Sequence, residues 1–136
     1  MNALLGGDVL AAEEIEIKAI IYRIQDASGR GPFKPGFTAT WLKPRADHDN
    51  LAPWFVEMGP VHTKVRKGMA CGCGCQTVEQ LRRWFSADEY LALLAHGYKA
   101  VKLEADRLLG SSATQCVFER AHPLHDAVEE FSLYDT

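Results

Sequence analysis

Two helix starts lie one after the other in the middle of the chain, and they limit its possible folds more than any other feature. Thr77 with Gln80, and Ser86 with Glu89, both match the capping box. In this motif a hydroxyl side chain and a glutamine or glutamate three residues later satisfy the first free amides of a helix. Gly97 then stands where a helix commonly ends on glycine. The sequence therefore predicts two consecutive helices between Thr77 and Gly97.

Strand-like segments stand before and after these helices. The first of them, 15–24 ("IEIKAIIYRI"), is mostly apolar and β-branched and alternates at its start, which is typical of a buried strand. The other predicted strands are 37–42, 69–75, 98–106 and 115–122. Helices that are grouped, instead of alternating with strands, indicate the α+β class. We expect a mixed, mostly antiparallel sheet with the two central helices on one side.

The length of 136 residues predicts a single domain. Residues 1–14 are predicted as an N-terminal lead-in with one short helix, and residues 15–124 as the α+β domain. Within it, 43–68 is predicted as a long irregular segment and 107–114 as a turn. Residues 125–136 form an acidic C-terminal tail, in which we expect one short helix.

Charge and hydropathy argue against several kinds of partner. The chain carries 15 Lys and Arg against 18 Asp and Glu, a formal net charge of −3. A general binder of nucleic-acid backbones normally has an excess of basic residues, so direct nucleic-acid binding is not expected. No stretch reaches the roughly 20 apolar residues that cross a bilayer, and the N-terminus lacks the basic region of a secretory signal. We therefore expect a cytoplasmic protein without a membrane partner.

Three cysteines alternate with glycines in "CGCGC", and a reducing compartment would keep them as free thiols. On a strand, Cys71, Cys73 and Cys75 share one face at intervals of about 6.6–6.8 Å. A tetrahedral zinc ion needs sulfurs about 3.8 Å apart, so a straight strand cannot bring all three to one ion. We expect no metal, and we expect glycines that let a neighbouring backbone or ligand approach. A zinc-stabilised module, with a curled strand and Cys116 or a histidine as a further ligand, is the alternative.

Arg23 is a charged residue inside the apolar first strand, directly before the glycine-rich segment "QDASGRGP". Arginine is rarely buried unless a carboxylate, a carbonyl or a ligand phosphate pairs with it. One interpretation is a salt bridge to Glu119 or Glu104. The other is a ligand anchor at the mouth of the strand.

The last predicted strand carries two further candidate residues. By strand alternation, Gln115 and Glu119 share one face, while Cys116 and Phe118 share the other. A solvated face is the simpler interpretation of the two polar residues. If the first and last predicted strands are neighbours, however, both could face the same groove as Arg23.

Four segments in a fixed order carry a family resemblance: "IYRIQDASGRGPF", a strand leading into "TVEQLRRWF", "HGYKAVKLEAD" and "QCVFERAHPL". This set resembles small, mostly uncharacterised proteins that phages and prophages encode. Its layout also resembles the minimal ADP-ribosyltransferase-like fold, including the RES-type toxins that consume NAD. The resemblance covers residues 17–124.

The resemblance implies a cofactor and roles for particular residues. In that fold a first-strand arginine anchors NAD, a second strand runs into a helix, and a late strand supplies an acid or an amide. The implied catalytic residues are Arg23, Gln115 and Glu119. The implied NAD-binding residues are Tyr22, Arg23, Arg30, Gly31, Cys75 and Thr77. An arginine can clamp a pyrophosphate with two hydrogen bonds, and a carboxylate can hold ribose hydroxyls in an oxocarbenium-like transition state.

Two main functional hypotheses follow. The first is an NAD-binding, ADP-ribosyltransferase-like protein of phage origin that modifies a host protein or hydrolyses NAD in the host cytoplasm. The second is a non-enzymatic inhibitor that binds and occludes a host defence complex, as anti-CRISPR proteins do. In that case the acidic residues 126–135 could compete for a nucleic-acid groove. The sequence leaves the host target and the oligomeric state open.

Overall fold

The computed structural model describes residues 18–43 and 51–135 and has the predicted α+β class. Its elements, in chain order, are β1 (Ala19–Gln25), α1 (Thr38–Trp41), α2 (Trp54–Met58), a 3₁₀ helix (Val61–Lys64), β2 (Ala70–Gly74), α3 (Val78–Trp84), α4 (Ala87–Ala95), β3 (Lys99–Ala105), β4 (Arg107–Ser111), β5 (Cys116–Arg120) and β6 (Val128–Phe131). The predicted lead-in and the beginning of the first predicted strand lie outside the described residues. No helix within the described ranges is long and apolar enough to cross a membrane.

The strands form two antiparallel sheets of three strands each, in the orders β1-β3-β6 and β2-β5-β4. The sheets meet at one isolated bridge. There Tyr22 and Cys75 each donate a backbone amide to the other's carbonyl, with both N–O distances 2.8 Å. Within its own sheet β1 lies beside β3, whereas β5 belongs to the other sheet. Two predictions are therefore wrong: the strands do not form one mixed sheet, and the first and last predicted strands are not neighbours.

Buried apolar residues form three clusters. The helix-side cluster, under α3 and α4, includes Ile24, Trp41, Leu81, Phe85, Leu93 and Ala100. The inter-sheet cluster, where residues of both sheets pack together, consists of Ile21, Leu103, Ala105, Cys116 and Phe118. The α2-side cluster consists of Val61, Leu109 and Val117. Full burial of each large aliphatic or aromatic side chain stabilises the fold by about 1.5–3 kcal/mol.

The helix starts agree with the prediction. Thr77 accepts a hydrogen bond from the backbone amide of Gln80 at 3.0 Å and caps α3, but the Gln80 side chain accepts from the amide of Gln76 at 2.8 Å instead of that of Thr77, so only half of the predicted capping box forms. Ser86 and Glu89 form the complete capping box of α4, with N–O distances of 2.8 and 3.2 Å. Gly97 follows α4 with a φ of 88°, which a glycine adopts without strain. Local sequence chemistry therefore determines where both helices begin and where α4 ends.

The segment 37–42 was predicted as a strand, and this prediction is wrong, since residues 38–41 form α1. The Trp41 ring is fully buried and packs on Phe85, with 5.5 Å between ring centroids. Packing of this one ring overrides the weak β-propensity of "FTATWL". The segment 43–68, predicted as irregular, contains α2 and the 3₁₀ helix.

Two strands also occupy segments for which other structures were predicted. The prediction of a turn over 107–114 is wrong, because 107–111 form β4 with a register shift at Gly110. The prediction of a short helix in 125–136 is wrong as well, because 128–131 form β6. Glu129 of β6 stands opposite Lys102 of β3, 3.6 Å away, and Glu130 lies 3.8 Å from the diagonal neighbour Lys99, and opposite charges in such positions favour cross-strand pairing.

Candidate functional site

Arg23 is the most unusual polar residue of the described ranges. It lies on the same face of β1 as Ile21 and Gln25. This face is turned toward the inter-sheet cluster, and only 6% of the surface of Arg23 is exposed. Its Nη2 donates to the carbonyl of Gly29 at 3.2 Å, whereas Nε and Nη1 have no hydrogen-bond partner among the described residues. The guanidinium carbon lies 6.0 Å from the centroid of the Phe118 ring, the outer limit of a cation–π contact.

Neither predicted salt-bridge partner of Arg23 pairs with it. Glu119 pairs with Arg66 and Arg107 instead. Glu104 is exposed on β3, in register with the N-terminal part of β1. Burial lowers the pKa of Arg23, yet a guanidinium stays charged at any physiological pH. The described part of the chain thus buries a cation without a carboxylate partner, which is costly unless something else compensates the charge.

The glycines of β2 make room for β1. A Cβ on Gly72 would lie 2.6 Å from Nη1 of Arg23, and a Cβ on Gly74 would lie 2.6 Å from Cγ2 of Ile21. Real Cβ atoms essentially never show so short a contact. This confirms the expectation that the alternating glycines admit a neighbouring strand.

Gln115, a predicted catalytic residue, is held on the α2 side. Its Nε2 donates to the carbonyl of Ala52 at 2.6 Å and to Oε1 of Glu57 at 2.7 Å. Ser112 and Thr114 donate hydroxyls to the same carboxylate, each at 2.8 Å. Burial opposes ionisation of Glu57, but the hydrogen bonds from Gln115, Ser112 and Thr114 outweigh it and lower its pKa. Gln115 therefore fastens α2 to the start of β5.

Glu119, the other predicted catalytic residue of β5, is fully buried. It accepts hydrogen bonds from the backbone amide of Arg66 at 3.0 Å, from the Arg66 Nε, and from Nε and Nη2 of Arg107, both at 3.2 Å. Burial raises the pKa of Glu119, but these donors outweigh burial and hold the pKa below its usual range. The carboxylate thus joins β5, β4 and the segment before β2.

Arg23 and the two polar residues of β5 do not share a groove. Arg23 lies against Phe118, whose ring is on the inter-sheet face of β5, while Gln115 and Glu119 point to the opposite face. The expected common cleft is therefore wrong, because β1 packs against one face of β5 and α2 covers the other. The catalytic roles that the resemblance implies for the three residues stay predictions.

Three of the predicted NAD-binding residues already have partners inside the fold. The half-buried Tyr22 ring packs edge-on against Phe131, with 5.7 Å between centroids. The buried Cys75 thiol lies 3.7 Å from the carbonyl of Thr114. The Thr77 hydroxyl caps α3. Each contact leaves the side chain less able to meet a ligand.

The other two lie in the loop after β1, close to Arg23. Asp26 organises this loop by accepting hydrogen bonds from the backbone amide of Arg30 at 3.0 Å and from the amide and hydroxyl of Ser28. Arg30 is exposed. Gly31 lies beside Arg23, since a Cβ on it would be 3.8 Å from Nη2. Of the predicted residues in this loop, Gly31 is the one that the structure places beside the Arg23 guanidinium.

Two buried polar residues near Arg23 escaped the sequence analysis. Arg120 is 2% exposed, and its Nη1 and Nη2 donate to the carbonyls of Asp126 at 3.0 Å and Ala127 at 3.1 Å. Gln25 donates from Nε2 to the carbonyl of Leu124 at 2.9 Å. The Nε of Arg120 and the Oε1 of Gln25 have no hydrogen-bond partner among the described residues.

Arg23, Gln25 and Arg120 are here called the inter-sheet polar row. Gln25 follows Arg23 by two residues on β1, so both lie on the inter-sheet face of β1. Arg120 follows Phe118 by two residues on β5, so both lie on the inter-sheet face of β5. That spacing was visible in the sequence. What the sequence did not indicate is that these faces of β1 and β5 pack toward each other.

The four cysteines are free thiols in different surroundings. Cys71 is half-buried, Cys73 is exposed, and Cys75 and Cys116 are buried. Burial raises the pKa of Cys75 well above its ordinary value and that of Cys116 to about 12, so both stay protonated. Over the ranges 18–43 and 51–135, no group of three or more His, Cys, Asp and Glu side chains is placed to hold a metal ion.

Comparison with known families adds one assignment. The family model of the bacteriophage T4 Y00F protein matches residues 15–132, which include every strand from β1 to β6. The chain belongs to the bacteriophage T4 Y00F protein family. No curated protein and no solved structure matches it. The expected resemblance to small phage proteins is thus confirmed for this Y00F-family chain, while the ADP-ribosyltransferase-like layout stays a prediction.

Proposed function

We propose that this Y00F-family protein binds NAD, with Arg23 as the anchor of a ligand phosphate. The observation that carries the proposal is the state of Arg23: it is buried, and two of its three nitrogen atoms have no partner among the described residues. Buried cations are normally paired, and the planar guanidinium matches two phosphate oxygens at once. A pyrophosphate would supply the missing acceptors.

We infer an ADP-ribosyltransferase-like build from the resemblance, with which the order of the strands is compatible. The resemblance assigns the three ligand-binding motifs to the first strand, to a strand that runs into a helix, and to a late strand. Here β1 touches β2 through the Tyr22–Cys75 bridge, β2 runs into α3, and β5 pairs with β2. The three motif-bearing strands are therefore successive neighbours.

We propose that the protein binds NAD but converts it slowly or not at all. Transfer of ADP-ribose or hydrolysis of NAD needs a group that stabilises the oxocarbenium-like transition state. Glu119 is neutralised by Arg66 and Arg107, and Gln115 is bound to Glu57. With both polar residues of β5 engaged in this way, we expect slow NAD hydrolysis or none.

Isothermal titration calorimetry with NAD tests the proposal. We expect binding to the native protein and at least tenfold weaker binding to Arg23→Met, because a hydrogen bond to a charged group contributes about 1.5–3 kcal/mol. Lys67→Met removes an exposed cation and is the matched control, with unchanged affinity. Absence of binding to the native protein, or equal affinities of native protein and Arg23→Met, would contradict the proposal.

A second candidate function, occlusion of a host complex, is favoured by the surface of α2. Phe55 and Val56 are adjacent and 58% and 65% exposed, whereas Trp54 packs onto the α2-side cluster. Glu57 fixes the helix through its contact with Gln115. We infer that this exposed apolar pair forms part of a protein contact surface, since aromatic residues are enriched at the cores of such surfaces.

Capture from host lysate, followed by identification of the captured protein, tests this candidate. The double substitution Phe55→Ser and Val56→Ser is expected to abolish capture of one defined protein. Leu91→Ser, which alters an exposed leucine of α4, should leave capture intact. Arg23→Met should also leave it intact, which separates occlusion from NAD binding. Equal capture by all variants would count against the α2 surface.

A further inference from the structure

The inter-sheet polar row combines two buried cations with unused hydrogen-bonding atoms. Nε and Nη1 of Arg23, Oε1 of Gln25 and Nε of Arg120 have no hydrogen-bond partner among the described residues. Most buried polar atoms in proteins are hydrogen-bonded, so several such atoms in one row indicate a missing partner. Three of the four are donors on positively charged groups. A bound anion would satisfy donors of this kind.

The two guanidiniums influence each other and have no ion-pair partner in the described ranges. Burial lowers the pKa of Arg23 most and the charge of Arg120 lowers it further, while Cys73 and Asp26 act in the opposite direction. Asp106 and Asp126 act favourably on Arg120, yet neither forms an ion pair with it. Two buried like charges repel each other in surroundings of low dielectric constant. The fold therefore favours a negative charge at this place.

We propose that the inter-sheet polar row binds one phosphate group, with Arg23 and Arg120 donating to its oxygens and Gln25 Oε1 accepting from a hydroxyl of the ligand. The inference rests on the proposed function, since it shares Arg23 with it. It adds Arg120 and Gln25 to the site and identifies the phosphate, not the nicotinamide, as the recognised part. The phosphate belongs either to a nucleotide or to free phosphate or pyrophosphate.

The segment after β5 encloses this site. Arg120 donates to the carbonyls of Asp126 and Ala127, and Gln25 donates to that of Leu124. Ala127 has a φ of 50°, an uncommon conformation for a residue other than glycine, and its carbonyl is one of those that Arg120 holds. A covered site excludes water, and this strengthens the attraction between guanidinium and phosphate.

Thermal unfolding at constant ionic strength tests the inference. The native protein is compared in chloride, inorganic phosphate, pyrophosphate and NAD. We expect phosphate or pyrophosphate to raise the midpoint by about 5 °C relative to chloride at saturation. Gln25→Glu places a carboxylate in the row, about 6.6–6.8 Å along β1 from Arg23, and should reduce that rise to less than a third.

Two control variants distinguish binding in the row from general effects of phosphate and of substitution. Phosphate also stabilises proteins by its exclusion from their surface, and this effect should be equal in the native protein and in Lys67→Met. Gln25→Leu loses the contact to Leu124 as Gln25→Glu does and also loses the Oε1 acceptor, but it adds no charge, so its response to phosphate should lie between those of the native protein and Gln25→Glu. If Arg23→Met folds, it should show only the surface effect.

The outcomes separate this inference from NAD binding. A phosphate response that Gln25→Glu removes, without any NAD binding, supports the phosphate site and contradicts the proposed function. NAD binding that depends on Arg23, without a response to phosphate or pyrophosphate, supports the proposed function and overturns the phosphate site. Equal phosphate responses in the native protein and in Gln25→Glu also overturn it and leave only an adventitious ion.

Discussion

Two buried charged residues of opposite sign, Glu119 and Arg23, lie in very different surroundings. Glu119 receives hydrogen bonds from two arginines, and its charge is compensated inside the fold. No carboxylate among the described residues pairs with Arg23, and its one hydrogen bond there is donated to the carbonyl of Gly29. Removal of one partner from the first arrangement leaves buried charges uncompensated and destabilises a fold, whereas the second arrangement leaves guanidinium donors that a phosphate could accept from.

We expect Glu119→Gln to lower the free energy of unfolding by about 1–3 kcal/mol at neutral pH, because the arginines lose a charged acceptor. The fold holds the pKa of Glu119 below its ordinary value of 4.5, so the unfolded chain takes up the proton more readily. The stabilisation is therefore complete above 4.5 and is lost as the pH falls through the lower, folded pKa. Urea unfolding at neutral and at acidic pH measures both effects.

Several other carboxylates add to acid destabilisation, so the comparison needs a control. The pKa values of Asp26, Glu57 and Asp106 are also lowered. Glu79→Gln changes an exposed carboxylate of α3, and its free energy of unfolding should fall with acid as that of the native protein does. The free energy of unfolding of Glu119→Gln should fall less steeply with acid. The same slope in all three proteins would show that Glu119 makes no ionic contribution.

The element that most determines the architecture is β2. It pairs with β5 along its length, packs closely against β1 at Gly72 and Gly74, and is followed by Cys75, which forms the backbone bridge to β1, so it connects the two sheets. Gly72 and Gly74 allow this close approach, because side chains at either position would collide with β1. β2 therefore determines the separation of the sheets and with it the position of Arg23.

Gly74→Ala tests the role of β2. The added Cβ would lie 2.6 Å from Cγ2 of Ile21 and 3.0 Å from the carbonyl oxygen of Tyr22. Because a backbone atom cannot easily move, we expect a loss of about 1–3 kcal/mol in unfolding free energy. Gly31→Ala adds a Cβ in ordinary contact at 3.8 Å and should change stability little. Equal stabilities of Gly74→Ala and the native protein would contradict the close approach of the strands.

For the whole molecule, the sequence predicted the class and several elements but not their arrangement. Capping boxes predicted α3 and α4, an apolar β-branched run predicted β1, and strand-like segments between the turns predicted β2, β3 and β5, because these signals are local. β4 and β6 have weak local signals and exist as strands because they pair with β5 and β3. The division into two sheets depends on contacts between distant segments, which no local pattern contains.

The candidate site was predicted in part for the same reason. Arg23 stood out because a charged residue in an apolar strand is rare, and it is the residue on which the proposals depend. Gln115 and Glu119 were correctly identified as polar residues sharing a face of β5, but the partner of that face, α2, came from a segment predicted as irregular. Gln25 and Arg120 were missed because their importance arises only when the two sheets pack.

The side-chain Nε–H resonance of Arg23, followed by nuclear magnetic resonance during titration with NAD, tests most directly whether this residue anchors a ligand. Its assignment comes from the signal that disappears in Arg23→Met. We predict a saturable shift of this resonance, with no change for Arg82, whose Nε is bonded to the carbonyl of Leu133. An Arg23 signal that stays constant at millimolar NAD, or one that moves no more than that of Arg82, would contradict the proposed role.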